Sequence, residues 1–277
     1  MRLGIRHETR YDYEGGASGA VLRLRLMPRA SDGQGIERWF VSVNGVAVTR
    51  WIATSYGDLE AVWRGDSRMD EIIVLAQGVV ETHDRHGIFR TRDEDVNPQA
   101  FLRETPLTKA DDAIRALADE VKNPADPVAA LHALCTLVHD RIDYRAGVTT
   151  SDTTAAEALA QGSGVCQDQA HIFVAAARSM GIPARYVTGY LLDEAREAES
   201  HDPHGWAEAL VPGLGWIGFD CTLKLSPTDH HVRLACGVDA LDAAPITGVA
   251  QMGGEHKVSA DVQIDRAPPV QSQSQQQ

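Results

Sequence analysis

One cysteine stands where a protein chain can make a thiol nucleophilic. Cys166 follows the Gly-Ser-Gly-Val run at 162–165 and precedes a long apolar stretch, which predicts a helix beginning at or next to its sulfur. A thiol at a helix N-terminus lies at the positive end of the helix dipole, beside backbone N–H groups that lack partners. Both effects favour the thiolate, which is the nucleophilic form. Most cysteines in such places are small buried hydrophobic residues, so a catalytic role requires further groups nearby.

Two polar residues further along the chain are suitable partners for this thiol. His204 opens a predicted strand, and Asp220 closes the strand after it, with a Pro-Gly-Leu-Gly turn at 212–215 between them. A histidine can take the thiol proton and return it to a leaving group, and a carboxylate can orient the imidazole. The three residues are therefore candidates for a catalytic triad.

The triad hypothesis requires one particular register in the hairpin that carries His204 and Asp220. If Val211 pairs with Trp216, the alternation of side chains puts Asp220 on the wrong face of the sheet. If Leu210 pairs with Trp216, Asp220 becomes a diagonal neighbour of His204 on the same face, within side-chain reach. The hypothesis therefore predicts a loop with an odd number of residues, or a bulge.

The N-terminal third of the chain carries short apolar runs separated by turn signals. Residues 21–27 alternate apolar and basic side chains, which is the period of a half-buried strand, and Asn44-Gly45 between two apolar runs is a hairpin signal. Residues 71–75 and 78–82 are further candidate strands. The pattern predicts a β-sandwich-like N-terminal domain over residues 1–95.

From about residue 96 the pattern changes to helices followed by strands. Helical periodicity and punctuation by glycine and proline predict four helices, over residues 107–118, 127–140, 154–159 and 166–180. Strand-like runs follow, over residues 184–192, 206–210, 216–220, 232–236 and 257–262. These elements predict an α+β domain over residues 96–265. Residues 266–277, rich in Pro, Ser and Gln, predict a disordered tail.

Composition argues against several classes of function. The 277-residue chain carries 39 acidic and 26 basic residues, a net charge of −13, which argues against nucleic-acid binding. No run approaches the roughly 18 apolar residues of a membrane span, and the first seven residues contain no apolar core of signal-peptide length. The four cysteines lie far apart and form no CxxC pair, so neither a disulfide framework nor a cysteine-based zinc site is expected. We therefore expect a cytoplasmic protein with reduced thiols that contacts neither nucleic acid nor membrane.

Four motifs resemble those of bacterial transglutaminase-like proteins, which are often named as candidate cysteine proteases. In chain order they are Gly-Val-Cys-Gln-Asp at 164–168, Gly-Ile-Pro-Ala-Arg-Tyr-Val-Thr-Gly-Tyr at 181–190, His-Gly-Trp-Ala-Glu at 204–208 and Gly-Trp-Ile-Gly-Phe-Asp at 215–220. The resemblance extends over nearly the whole chain, since these proteins also have an N-terminal β domain before the catalytic one.

This resemblance implies a papain-like, transglutaminase-like α+β catalytic core. It makes Cys166 the nucleophile, His204 the proton acceptor and donor, and Asp220 the carboxylate that orients the imidazole. The thiolate would attack an amide or ester carbonyl to form a thioester acyl-enzyme, which water or an amine would resolve.

Two positions depart from the family pattern. Cys221 stands where the family usually has proline after the aspartate, and Gly205 replaces the alanine of the usual His-Ala-Trp. A glycine loosens the backbone beside the proposed base, His204, at a cost in positional precision. The departures leave open an alternative, in which the chain keeps the fold as a non-catalytic protein-binding module.

Further residues are candidates for roles around the thiol. Tyr144 either places a hydroxyl near the site or is a buried structural tyrosine, and Gln161 invites comparison with the oxyanion glutamine of papain-like proteases. Asp168 either caps the helix or takes part in catalysis, whereas His171 on the same helix is expected to pack. By its position, the backbone N–H of Cys166 is a candidate oxyanion donor.

A metal centre is the other chemical alternative. His201 and His204 form a His-x-x-His pair, and His230 and His231 follow. Catalytic zinc usually takes three ligands on rigid elements, whereas His201 lies in a polar, acidic loop. We therefore expect no metal and no other cofactor.

The expected activity is cysteine-dependent acyl hydrolysis or acyl transfer on a peptide or protein substrate. Nothing in the chain marks an amine-binding site, and there is no calcium loop of the EF-hand type, so hydrolysis needs fewer assumptions than transamidation. The sequence specifies neither the acyl donor and acceptor nor an oligomeric state.

Overall fold

A computed structural model describes residues 1–90, 96–123, 125–193, 203–252 and 254–268. Seven strands precede the first helix: β1 (Arg2–Met27), β2 (Gln34–Val43), β3 (Val46–Ala47), β4 (Ile52–Ala53), β5 (Leu59–Gly65), β6 (Met69–Thr82) and β7 (Ile88–Phe89). A 3-10 helix (Pro98–Leu102) leads into the middle of the chain, which contains α1 (Asp112–Val121), α2 (Pro127–Arg141), β8 (Asp143–Tyr144), α3 (Ala155–Gln161), β9 (Ser163–Gly164) and α4 (Cys166–Ser179). The remaining strands are β10 (Ala184–Leu191), β11 (His204–Val211), β12 (Gly215–Phe219), β13 (His231–Gly237), β14 (Ile246–Met252) and β15 (His256–Arg266).

The first sheet is built around the long strand β1. The first half of β1 pairs with β6 and β15, its second half pairs with β5 and β14, and all four pairings are antiparallel. Strands β2, β3 and β4 extend the sheet to eight strands. Where the sequence predicted a sandwich-like unit, the structure has one sheet in which β5, β6, β14 and β15 all pair with β1.

The last two strands lie in this first sheet, which differs from the predicted division of the chain. The prediction assigned residues up to 265 to the second domain, but β14 and β15 pair with β1 along almost its whole length. An apolar pattern predicts a strand but does not specify which strand it pairs with. Here β14 and β15, near the C-terminal end, pair with β1 at the N-terminal end. The boundary near residue 95 stays a prediction. Arg266, the first residue of the predicted tail, ends β15, and residues 269–277 lie outside the described residues.

The second sheet carries the helices and confirms the predicted α+β class. Its strand order is β13-β10-β11-β12-β7, and all of its pairings are antiparallel. Helix α4 packs against β10 and β11, and residues 172–177 of α4 are buried with apolar side chains of α1, α2, α3 and β11 in one cluster. A fully buried helix in this position is fixed by apolar contacts on all sides.

Local sequence signals set the ends of the helices. Asp126 caps α2 and Pro127 is its first residue, as predicted, and Thr154 forms a capping box with Glu157 at the start of α3. Gly181 adopts φ 79° just after α4 ends, a conformation that glycine reaches without steric cost. Among the described residues, no helix is both long enough and apolar enough to cross a membrane.

The two sheets are joined by apolar and ionic contacts. Tyr190 from β10, with Val232 and Leu234 from β13, belongs to the same buried apolar cluster as the inner face of the first sheet. Beside that cluster, the buried carboxylate of Asp58 accepts from the Arg25 guanidinium of β1 at 2.9 Å and from that of Arg233 of β13 at 2.9 Å. The second sheet is thereby held against the first sheet.

Candidate active site

Cys166 is the first residue of α4, as the glycine-rich run before it predicted. The carboxylate of Asp168 reaches back over the start of the helix, where Oδ2 accepts from the Val165 N–H at 2.8 Å and from Thr149 Oγ1 at 2.7 Å. Gly164 makes this possible, because a Cβ at that position would lie 2.5 Å from Asp168 Oδ2. Asp168 therefore caps the helix and holds the backbone that presents Cys166.

His204 and Asp220 are hydrogen-bonded at the end of the β11–β12 hairpin. The imidazole Nε2 lies 2.7 Å from Asp220 Oδ2, and the two residues are 9% and 0% exposed. Because Nε2 faces the carboxylate, Nδ1 is the ring nitrogen left for the thiol of Cys166. This is the arrangement in which one carboxylate orients the ring and the other ring nitrogen serves the nucleophile.

The hairpin adopts the register that the triad hypothesis required. Leu210 pairs with Trp216 and Val211 with Gly215, which leaves a three-residue turn. Gly213 and Gly215 both have positive φ, so a compact odd-numbered turn is available to this sequence. The prediction of an odd loop is confirmed, and it is this register that puts Asp220 on the face of His204.

Asp220 accepts hydrogen bonds on both of its oxygens. Oδ2 lies 2.7 Å from His204 Nε2 and 3.1 Å from His231 Nε2, while Oδ1 accepts from the backbone N–H groups of Thr222 at 2.9 Å and Leu223 at 3.3 Å. Burial on its own would raise the pKa of Asp220, but the hydrogen bonds from the two histidines outweigh it and hold the pKa well below its usual range. The carboxylate is therefore ionised at neutral pH.

The carboxylate of Asp220 changes the pKa of His204. Burial on its own would lower the pKa of His204, but the hydrogen bond to Asp220 and the interaction with the Cys166 side chain outweigh it and raise the pKa to about 10. The raised pKa favours the imidazolium form of the ring. A cation beside the thiol is the electrostatic partner that a thiolate needs.

Cys166 and His204 open onto a cleft of about 350 Å³. Its walls include Tyr144, Tyr186 and Leu223. Tyr144 is 44% exposed, so it is not the buried structural tyrosine of the alternative drawn from the sequence. The cleft has room for a chain segment or side chain beside the sulfur.

Family comparison agrees with the fold. Residues 115–221 match the transglutaminase-like superfamily, and residues 3–81 match the bacterial transglutaminase-like N-terminal region. The chain belongs to the bacterial transglutaminase-like family. The first match contains Cys166, His204 and Asp220 of this transglutaminase-like protein.

Relatives of this transglutaminase-like protein share its whole length. An uncharacterised protein of Mycobacterium leprae is 27% identical over 96% of this chain and 99% of its own, and one of Mycobacterium tuberculosis is 24% identical over 96% and 93%. A crystal structure from Cytophaga hutchinsonii, described as a candidate cysteine protease, superposes with a TM-score of 0.74 at 22% identity, covering 97% of this chain and 91% of that one. The predicted fold, a papain-like α+β core with an N-terminal sheet domain, is thereby confirmed.

The two departures from the family pattern are accommodated by packing. A Cβ on Gly205 would lie 2.0 Å from the Tyr186 hydroxyl, so the glycine makes room for a tyrosine that is 6% exposed and lines the cleft. Cys221 is buried, and its carbonyl accepts from Nδ1 of His139 at 2.9 Å. Neither change removes a group from the Cys166–His204–Asp220 arrangement.

Some residues predicted for the site lie elsewhere. The Gln161 amide nitrogen donates to the Val148 carbonyl at 3.3 Å and to Ser163, and Gln161 does not line the cleft. His171 is fully buried and accepts from the Ala240 N–H at 3.0 Å, and burial lowers its pKa to about 4, so its expected packing role is confirmed. His201 lies outside the described residues.

The sequence reasoning missed groups that support Asp220. Thr222 donates its hydroxyl to Gln169 Oε1 of α4 at 2.8 Å, which ties the loop after Asp220 to the helix that carries Cys166. His231 was considered only as a metal ligand. Its position four residues after a proline and at the start of a strand was the available signal, but nothing local pointed to Asp220.

His231 also bears on the metal alternative. In the described part of the chain, His204, Asp220 and His231 form the group whose ligand atoms lie within 4.8 Å of one another. Nε2 of His204 and Nε2 of His231 both lie within hydrogen-bond distance of the same oxygen, Asp220 Oδ2. These hydrogen bonds account for the cluster as a network of two donors on one acceptor.

Proposed function

We propose that this transglutaminase-like protein is a cysteine-dependent enzyme that transfers the acyl group of a peptide or protein amide. The observation that carries the proposal is the buried 2.7 Å hydrogen bond between His204 and Asp220, with His204 and Cys166 lining one cleft. Packing alone does not require a histidine to have a buried acidic partner beside a partly exposed cysteine at a helix start, so this combination favours a functional role.

The arrangement supports acyl transfer in two steps. Cys166 attacks the amide carbonyl as the thiolate, and the carbonyl oxygen gains the electron pair beside the Cys166 backbone N–H. His204 donates its Nδ1 proton to the departing amine, which leaves a thioester on the sulfur. Neutral His204 then takes a proton from water or an amine as it attacks the thioester, and the sulfur leaves as the thiolate, which restores the starting thiolate and imidazolium. Asp220 keeps the ring aligned through both steps.

Water is the acceptor that we propose for the second step, because no amine-binding group is needed to accommodate it. We also propose a peptide or protein as the acyl donor and the cytoplasm as the location, as expected from the sequence.

Selective alkylation tests the proposed nucleophile. The native protein would be treated with iodoacetamide at neutral pH and the four cysteines followed by peptide mass spectrometry. We expect Cys166 to react much faster than Cys135, Cys221 and Cys236, which are buried and serve as internal controls. Replacing the base, as in His204→Asn, should slow the reaction at Cys166. Equal rates at all four cysteines would support a non-catalytic binding module instead.

Product analysis tests the acyl chemistry. A mixed peptide library would be incubated with the wild type and with Cys166→Ala, with and without a fluorescent primary amine. New peptide termini, or conversion of glutamine to glutamate, in the wild type alone would support hydrolysis, and incorporation of the amine would assign transamidation. Stoichiometric zinc by elemental analysis of the purified protein, with activity lost on chelation, would contradict the thiol mechanism.

A further inference from the structure

A second histidine shares an oxygen of Asp220 with the proposed base. Nε2 of His231 lies 3.1 Å from Asp220 Oδ2, which lies 2.7 Å from Nε2 of His204. His231 is 7% exposed and begins β13, so it comes from the strand at the far edge of the sheet from β12. The contact joins two elements that are not neighbours in the sheet.

The hydrogen bonds of His231 define which nitrogen carries its proton. The backbone N–H of Thr228 donates to Nδ1 of His231 at 3.2 Å, so Nδ1 is an acceptor and the proton is on Nε2. Burial lowers the pKa of His231, and the bond to Asp220 offsets this only in part, so the ring is neutral. His231 therefore donates one N–H to Asp220 and adds no charge.

This donor completes the coordination of the Asp220 carboxylate. Oδ1 is held by the N–H groups of Thr222 and Leu223, on the loop that follows the aspartate. Among the described residues, the other hydrogen bond to Oδ2 comes from His204, the ring that Asp220 must orient. A second donor from β13 fixes the plane of the carboxylate independently of His204.

We propose that His231 is a positioning residue, whose Nε2–H orients Asp220 and thereby holds the His204 ring in place for Cys166. The inference deepens the proposed function and rests on it for its catalytic consequence. The hydrogen-bond geometry itself does not depend on the reaction.

Packing is the competing explanation for His231. Its ring meets the Trp206 ring edge-on, with centroids 5.5 Å apart. An apolar ring, as in His231→Phe, would keep such a contact and lose the donor. An amide, as in His231→Gln, would keep an N–H donor at a distance from the backbone similar to that of Nε2 and lose the ring. The two variants therefore separate the two roles.

Acylation kinetics of the full-length variants test the catalytic consequence. The probe is p-nitrophenyl acetate, with release of nitrophenolate as the readout and Cys166→Ala as the blank. We expect His231→Phe to acylate about a hundredfold more slowly than the wild type, because misplaced catalytic groups cost about that factor. We expect His231→Gln to stay within a few-fold of the wild type. Equal or faster acylation by His231→Phe than by His231→Gln would overturn the inference in favour of packing.

A measurement on the wild type separates this inference from the proposed function. Nitrogen NMR of histidine-labelled protein would identify the tautomer of His231, and we expect its proton on Nε2. We also expect a hydrogen-bonded Nε2–H signal from His204, and this signal should weaken in His231→Phe. A proton on Nδ1 would overturn the inference even if every variant were active. A wild type that is not acylated would refute the proposed function, while the NMR result would still decide whether His231 positions Asp220.

Discussion

Asp220 holds more of the site in place than Cys166 does. Its buried carboxylate is bound by two imidazoles and by two backbone N–H groups from the loop that follows it. An ionised carboxylate is costly to bury unless all of its acceptor positions are used, and here both oxygens have two donors. These hydrogen bonds fix the Asp220 carboxylate, and the fixed carboxylate aligns the ring of His204. Changes at Asp220 therefore affect the proposed base directly.

The contact between Gly205 and Tyr186 leads to a prediction for one methyl group. Gly205→Ala would put its Cβ 2.0 Å from the Tyr186 hydroxyl, so the tyrosine or the strand beside His204 must move. We expect the free energy of unfolding to fall by about 1–3 kcal/mol, the usual cost of overpacking a core, and alkylation of Cys166 to slow. Urea unfolding and peptide mass spectrometry measure the two effects.

Gly4→Ala is the matched control for this substitution. Gly4 also lies in a strand, but a Cβ there meets nothing closer than 3.8 Å. We expect little change in stability and none in alkylation. An effect at Gly205 no larger than at Gly4 would show that the tyrosine does not depend on the glycine.

At the level of elements, the start of α4 and the β11–β12 hairpin place the three proposed catalytic residues. The helix brings the sulfur to the end of the sheet, and the hairpin brings His204 and Asp220 to one face. The sequence was compatible with two registers in that hairpin. The observed register leaves Gly213 inside the turn and ends it at Gly215, both with positive φ, which a tight three-residue turn can use.

The cap of α4 can be tested apart from the stability of helices in general. Asp168→Ala removes the acceptor of the Val165 N–H and of the Thr149 hydroxyl, and we expect it to cost about 1–2 kcal/mol of stability, at the upper end for a lost helix cap. It should also slow alkylation of Cys166, because the backbone around the sulfur loses its support. Thermal unfolding and alkylation rates measure these effects.

Asp126→Ala provides the comparison at another helix. Asp126 caps α2 by accepting from the Ala129 N–H at 2.9 Å, and it does not line the cleft. This variant should lose stability without a change at Cys166. If both variants left the alkylation rate unchanged, the cap would have no role in presenting the thiol.

At the scale of the whole molecule, the first sheet and the second sheet depend on each other. Strand β1 is paired with both N-terminal and C-terminal strands, and its Arg25 reaches the carboxylate of Asp58, which also binds Arg233 of the second sheet. The guanidinium of Arg233 also forms an ion pair with Glu208 of β11, with Nε 3.0 Å from Oε1. A chain of buried charges therefore leads from the first sheet to the strand that begins with His204.

Removing the central carboxylate of this chain should weaken the whole molecule. Asp58→Ala leaves the buried guanidinium of Arg25 and the 11%-exposed guanidinium of Arg233 without their shared partner, and we expect a loss of about 3–5 kcal/mol, as for other buried ion pairs that lose one member. Urea unfolding followed by tryptophan fluorescence measures it. Asp112→Ala, which removes a fully exposed partner of Arg115, should have no measurable effect. Similar results for the two variants would mean that the buried chain adds nothing to stability.

Local patterns were sufficient for much of the fold. Helices α2 and α4 and strands β10 and β11 could be predicted because their apolar period and their capping or glycine signals lie within a few residues of one another. Strand β14 and the short strands β5 and β7 were missed. In β5 and β14 the apolar residues do not follow a clear two-residue period, and β7 is only two residues long, so the order of these strands comes from their pairing partners.

By itself, the sequence determined the placement of Cys166 at a helix start, the order of the three proposed catalytic residues and the register that they would need. Each depends on nearby residues or on the two-residue repeat of a strand. Only the tertiary structure decided that His231 shares Asp220, that Gly205 makes room for Tyr186, and that the C-terminal strands complete the first sheet. These contacts join residues far apart in the chain, where a hydrogen bond or a close approach depends on how whole elements pack and leaves no local pattern.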